Sequence, residues 1–288
     1  MNYSALIENR KSVREFTDKK VSASVLEQIR TFCRSECKHL IPSLKTELRI
    51  LGDDAKAALE GAAGYHKFLI GAPQYLVLLS EKHDLTYINA GFIMEDIVLK
   101  LTEMGLDSCW VTFTDSDAVK QAVGIVSELD VAAIVAFGYG VKTTKRLRVN
   151  ILSMSNVDIR AKRQYFEPKR SIYEMVFLNT WGNTYQLDEY IGFFDDMLWE
   201  AFRAATQAPS YLNRQAYGFV IHDGYVTLVR RPDEYTTTID GQLSLGIVLL
   251  HFTGTAAPWT GRLQWHFGKD AQALHLPEGH EVIASCVV

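Results

Sequence analysis

The sequence predicts an α+β protein made of two related halves in tandem, residues 1–150 and 151–288. Three observations predict it. Helix-like and strand-like apolar spacings are mixed within each half. Five short motifs of the first half recur in the second, in the same order and at offsets between 150 and 167 residues. A polar stretch rich in cations, Arg148–Pro168, separates the halves and ends in a proline.

The elements follow in chain order. Ser22-Ala-Ser-Val-Leu-Glu-Gln-Ile reads as a helix start, with Ser24 and Glu27 at capping-box spacing. Gln74–Leu79 is a strand. Ala90–Gly105 is a helix, because Ile93, Ile97, Val98, Leu101 and Met104 share one face and Gly105 stops it. Ala132–Phe137 is a buried strand. Met197–Thr206 has helical spacing, and Tyr217–His222 and Tyr225–Val229 flank Asp223-Gly224, a hairpin turn signal. Gln242–His251 is a second apolar helix or buried segment.

The recurrences are specific. Arg10-Lys11-Ser12-Val13 returns as Lys169-Arg170-Ser171-Ile172, and Pro42-Ser43 as Pro209-Ser210. Asn89-Ala90-Gly91 is echoed by Ile239-Asp240-Gly241, Gly105 with Trp110 by Gly261 with Trp265, and Val131–Ala136 by Glu281–Cys286. Five pairs in one order argue for a duplication.

Composition narrows the function classes. Apolar residues are 48% and charged residues 22% of 288, enough to bury a large core and too apolar for a disordered chain. A net charge of −4 makes nucleic acid an unfavourable partner, since phosphate backbones need a basic face. The most apolar runs, Val131–Phe137 and Leu243–Phe252, are shorter than the roughly 20 residues that span a bilayer, so no membrane partner is expected. The start of the chain carries an acid and no apolar core of a signal peptide, so a cytoplasmic location is expected. Cys33, Cys37, Cys109 and Cys286 have neither disulfide-framework nor Cys-x-x-Cys spacing, and the eight histidines form no metal motif.

Two segments carry chemistry. Arg10-Lys11-Ser12-Val13-Arg14 sets three cations and a hydroxyl within five residues, a set suited to phosphate oxygens or, equally, to a solvated basic turn. Pro209-Ser210-Tyr211-Leu212-Asn213-Arg214-Gln215 lies between a helix and a strand and offers amides and hydroxyls to a flat polar ligand; a plain helix-to-strand turn is the alternative. The aromatic stretch Trp181, Tyr185, Tyr190, Phe193, Phe194 and Trp199 reads as packing for a core or a lid, with a stacking wall for a flat substrate as the alternative.

Together these motifs resemble the FMN-dependent nitroreductase family. Arg10-Lys11-Ser12-Val13-Arg14 with Phe16 resembles its opening, and Ala208–Phe219 its Pro-Ser-x-x-Asn motif. Ala90 to Trp110 resembles its central helix and the loop beside the flavin, and Ala133–Gly140 with Lys145 and Arg146 its closing strand and basic tail. The likeness covers nearly the whole chain and is nearest to the fused, two-lobed TM-nitroreductase subfamily, an intramolecular pseudo-dimer.

The resemblance implies a nitroreductase-like fold, FMN as cofactor, and an NAD(P)H:acceptor oxidoreductase that reduces a nitroaromatic, quinone or similar flat acceptor. Arg10, Lys11 and Ser12, with Arg146 or Arg148, would hold the phosphate. Arg14 would lie nearer the ring and stabilise its reduced anionic form. Trp110, Val111 and Thr112 would flank N5, and Pro209, Ser210, Tyr211, Asn213 and Gln215 would line the ring from the other half. Since Tyr173 replaces the second copy of Arg14, and Thr46 and Glu47 follow Pro42-Ser43 where the other copy has Asn213, one complete composite site and one defective one are expected. A monomer is expected. The competing expectations are a nitroreductase-fold scaffold without turnover and a specialised flavin reaction such as dehalogenation.

Overall fold

The computed structural model describes all residues except 53, 66–67, 143–144, 154–155, 164–167, 194–195, 262 and 269–273; for 145–153, 156–163, 191–193 and 196 it describes the backbone alone. The backbone divides into two compact units. One comprises Met1 and Asn9–Glu167, the other Asn2–Glu8 and Pro168–Val288.

Helix α1 (Tyr3–Asn9) thus lies almost wholly in the second unit. The first unit continues with α2 (Ala23–Ser35), β1 (Thr46–Leu51), α3 (Ala55–Leu59), β2 (Gln74–Ser80), α4 (Thr86–Glu103), β3 (Asp107–Val111), α5 (Ser116–Ala122) and β4 (Asp130–Gly138). Strands β5 (Lys145–Ser153) and β6 (Asn156–Arg163) form a separate antiparallel pair. The four-stranded antiparallel sheet has the order β1-β2-β4-β3. Its inner strands are buried on both faces, which is why β2 and β4 read as unbroken apolar runs rather than alternating ones.

The second unit holds α6 (Ile172–Met175), β7 (Val176–Leu178), α7 (Leu187–Phe193), α8 (Asp196–Thr206), a 3₁₀ turn at Tyr211–Asn213, β8 (Tyr217–His222), β9 (Tyr225–Arg230), α9 (Thr238–Thr260), β10 (His266–Phe267) and β11 (Glu281–Val287). Its sheet runs β7-β8-β9-β11-β10, antiparallel except for the β7–β8 edge. Setting β7 aside, both sheets share one plan. Two adjacent strands are followed by a long buried helix, then by an edge strand and an inner strand. Even the indoles match: Trp110 on β3 donates to Glu95 of α4 at 2.9 Å, and Trp265 beside β10 donates to Thr253 of α9 at 2.9 Å.

Three sequence expectations need correction. The cap of α2 is Ser22, whose Oγ accepts from Val25 N at 3.4 Å; Ser24 instead bonds the Ser22 hydroxyl. Helix α4 starts at Thr86 and is buried nearly all round, not on one face. The cation-rich stretch after β4, expected as tail and connection, includes the β5–β6 ladder. The Asp223-Gly224 hairpin appears as expected, with φ of +48° and +77° at the two turn residues.

Candidate functional site

In the first unit, residues 12–17 form a strap along the outer edge of β3 and across the exit of β4. Ser12 bridges Ser108, and Val13 N donates to Ser108 O at 2.9 Å. Thr17 N donates to Tyr139 O at 2.8 Å, and Val141 N to Glu15 O at 3.0 Å. Gly140 allows this approach: a Cβ there would stand 2.7 Å from Asp107 Oδ2 and 2.9 Å from Val13 Cγ1. The same Asp107 oxygen accepts from Gly140 N at 2.9 Å. An edge strand with open backbone groups is thereby covered by the motif that carries Arg10, Ser12 and Arg14.

Arg10 is mostly buried, its side chain 8% exposed, and faces the carboxylate of Glu95, which is fully buried; Nε lies 3.5 Å from Glu95 Oε1. Arg10 Nη1 donates to Ser12 Oγ at 3.3 Å, while the buried Nε makes no hydrogen bond. The other Glu95 oxygen accepts the Trp110 indole N–H. Arg14 is half-buried and has no carboxylate partner among the described residues. Both guanidiniums act on the buried Cys109 thiol. Burial pushes its pKa up, and Arg14 and then Arg10 pull it down. Lys11 is exposed. The edge of β3 therefore concentrates cations against one carboxylate, an arrangement that fits an anionic group with a free oxygen for each guanidinium.

Trp110 and Val111 are strand residues, paired with Val135 and Ile134 of β4. Thr112 follows the strand, and its carbonyl accepts from Gly64 N at 2.7 Å. Arg146 and Arg148 lie on β5; their side chains are outside the described residues. The structure thus brings Arg10, Ser12 and Trp110 into one network in the first unit. Its hub, Glu95, was missed from sequence. The signal available was a charged pair, Glu95-Asp96, inside the apolar helix pattern.

In the second unit the other motif is a tight turn. Leu212, Asn213 and Gln215 all have positive φ. Pro209 is buried, and Ser210 Oγ accepts from Gln215 N at 2.9 Å. Asn213 Nδ2 donates to Pro168 O at 2.8 Å. Gln215 is fully buried: its Oε1 accepts from Arg170 N at 2.9 Å, and its Nε2 donates to Thr206 O at 2.8 Å. Its amide therefore closes the turn onto the Lys169–Ser171 segment. Tyr211 N donates to Ser244 Oγ of α9 at 3.2 Å.

Ser210, Tyr211 and Gln215 also border a cleft of about 260 Å³ together with Arg214, Arg231 and Asp233. Arg214 pairs with Asp233 at 2.6 Å. Arg231 stacks 4.9 Å from the Trp181 ring centroid and bonds Glu174 O. Its pKa is pulled down to about 10 by burial and by Arg170, with Glu174 opposing. Trp181 packs on Phe177, so it belongs to the core, whereas Tyr185 is exposed. Phe194 lies outside the described residues. Among the described residues no three His, Cys, Asp or Glu converge as metal ligands, and no helix is long and apolar enough to cross a membrane.

A family model described as "Putative TM nitroreductase" matches residues 2–180. Among solved structures, a nitroreductase-type protein of Thermotoga maritima, itself described as putative, is 22% identical over 100% of this chain and 94% of its own, with a TM-score of 0.58. A nitroreductase family protein of Clostridium difficile 630 is 23% identical over 50% of this chain and 87% of its own, with a TM-score of 0.42. An FMN-dependent nitroreductase of Clostridium difficile R20291 is 21% identical over 49% of this chain and 89% of its own, with a TM-score of 0.43. No curated protein matches the chain.

Proposed function

Since the chain belongs to the family described as putative TM nitroreductases, we propose that it is an FMN-dependent oxidoreductase taking a hydride from NAD(P)H and reducing a flat acceptor such as a nitroaromatic or quinone. The observation that carries this is the strap along β3. It bridges Ser12 to Ser108 and carries Arg14, and just before it Arg10 is mostly buried with an Nε that makes no hydrogen bond. When bound, FMN supplies the hydride chemistry, and the protein's part is orientation and electrostatics.

Arg10 and Ser12 are the phosphate-binding pair in this proposal. Charge-assisted bonds of this type contribute about 1.5–3 kcal/mol each. Arg14 lies two residues further along the same strap, where a fixed cation favours negative charge developing on a bound ring. Trp110 and Val111 end β3, paired with β4, and Thr112 follows it with its carbonyl bonded to Gly64 N, so this backbone is tied on both sides. Pro209, Ser210, Tyr211, Asn213 and Gln215 are the second unit's own candidates for holding a flat polar ligand. The shared strand order of the two units supports a duplication as their origin.

The test is an FMN titration of the full chain followed by absorbance. Arg10→Ala removes the cation beside the buried Glu95 carboxylate and can cost about 3–5 kcal/mol of stability. Arg14→Ala and Ser12→Ala are therefore run beside it, with Arg170→Ala as the control. One FMN per chain, weakened by the first-half variants and kept in Arg170→Ala, supports the proposal. Anaerobic bleaching of bound flavin by NADH or NADPH then supports turnover. No binding at tens of micromolar FMN overturns it in favour of a scaffold without turnover.

A further inference from the structure

Glu95 is a fully buried carboxylate in the middle of α4, among Ile93, Met94, Ile97 and Val98, all buried. A charge there is costly unless it is paired and hydrogen-bonded. Its two oxygens serve two different elements. Oε2 takes the indole N–H of Trp110 at 2.9 Å, from β3, and Oε1 stands 3.5 Å from Arg10 Nε, at the start of the strap. Arg10 Nη1 also donates to Ser12 Oγ at 3.3 Å.

We propose that Glu95 is a positioning residue of the cofactor site: it holds the Arg10 guanidinium inward and locks it to the same strand that carries Trp110, and so sets the preference for a phosphorylated flavin over an unphosphorylated one. The inference rests on the flavin proposal above. Its physical basis is the burial of Arg10. A guanidinium 8% exposed keeps its place only with a counter-charge. Without Glu95, Arg10 leaves the interior for water and the strap loses the donor that faces the phosphate. Removing a negative charge near an anion acts in the opposite sense, but it gains nothing once the guanidinium has moved away. Trp110 gives the arrangement its rigidity, since the indole bond fixes the carboxylate on the side away from Arg10.

The experiment compares FMN with riboflavin, which lacks the phosphate, on the full chain and on Glu95→Gln, Glu95→Asp and Trp110→Phe. Circular dichroism verifies that each variant is folded. In Glu95→Gln the expected result is FMN affinity weakened about tenfold or more, with riboflavin affinity unchanged within about twofold. If Glu95→Gln does not fold, Glu95→Asp, which keeps the charge but not the reach, is expected to shift the ratio in the same direction. Trp110→Phe is expected to shift it less. A purely structural role would weaken both flavins alike, and that result overturns the inference, as does an unchanged ratio. Tighter FMN binding in Glu95→Gln also overturns it, because Glu95 would then be only a counter-charge. A wild-type chain that binds neither flavin overturns the flavin proposal itself, whereas a wild type that binds FMN with no shift in the variants overturns the role of Glu95 alone.

Discussion

Tyr3 lies so close to Gly254 that a Cβ at position 254 would stand 2.5 Å from the Tyr3 ring. The first helix of the chain is thereby seated on α9, and Glu8 adds an ion pair to Arg203 of α8 at 2.7 Å. Residues 2–8 are structurally part of the second unit although their sequence neighbours build the first. Gly254→Val is expected to push Tyr3 off α9 and destabilise the protein by about 1–3 kcal/mol, as overpacking does. Tyr3→Ala in the same chain should recover part of that loss. Thermal unfolding of the two single variants and the double variant checks it; strictly additive losses would show that the contact is not shared.

Gln215 closes the turn that follows Pro209-Ser210. Gln215→Leu keeps the approximate volume but leaves Arg170 N and Thr206 O without their partner. Each such group costs about 1–3 kcal/mol when buried. The expected outcome is a clear fall in stability of the flavin-free protein, measured by denaturant unfolding. An unchanged midpoint in the absence of flavin would mean that the turn does not depend on this amide.

What could be read in the sequence follows from how local each cause is. Strands β2 and β4 and helix α4, and the burial of the α9 segment though not its helical form, were legible because an apolar run of the right length states its own burial. The Asp223-Gly224 hairpin was legible because two positive φ angles demand those residues. Glu95 was not, because the reason for a charge inside α4 lies 85 positions upstream at Arg10, and only the fold joins them. The cap of α2 slipped by two residues because Ser22 and Ser24 both offer a hydroxyl, and helix-start spacing does not choose between them. The β5–β6 ladder was obscured by its cations, although Leu147, Val149 and Ile151 alternate with polar residues, as do Val157, Ile159 and Ala161, the period of a strand. Gln215 was recognised as a ligand-type amide; its bonds within the second unit depend on Arg170 and Thr206, which local pattern does not connect.

The repeated strand order bears on oligomeric state. Both units share one strand order, and the proposed duplication leads to the expectation of a monomer. The protein is expected to run as a single chain of 32.5 kDa in light scattering. A mass of twice that value, stable on dilution, would count against that expectation.

Stability should fall on mild acidification, and His39 should account for part of it. Burial holds the His39 pKa below the ordinary histidine value, with the Asp96 carboxylate opposing. The unfolded chain therefore binds a proton at this position more readily than the folded one. Below the unfolded value of about 6.5 the unfolded state gains that proton first, so stability is lost as pH falls from there toward the depressed folded value. Above about 6.5 both states are neutral at His39, and the term vanishes. Asp96 itself is fully buried and accepts from Lys38 N at 2.8 Å. His39→Asn is expected to flatten the stability profile between about pH 6.5 and 5 and leave it unchanged near pH 8. Unfolding midpoints of the two proteins across that range check it, and parallel profiles would remove His39 from the account.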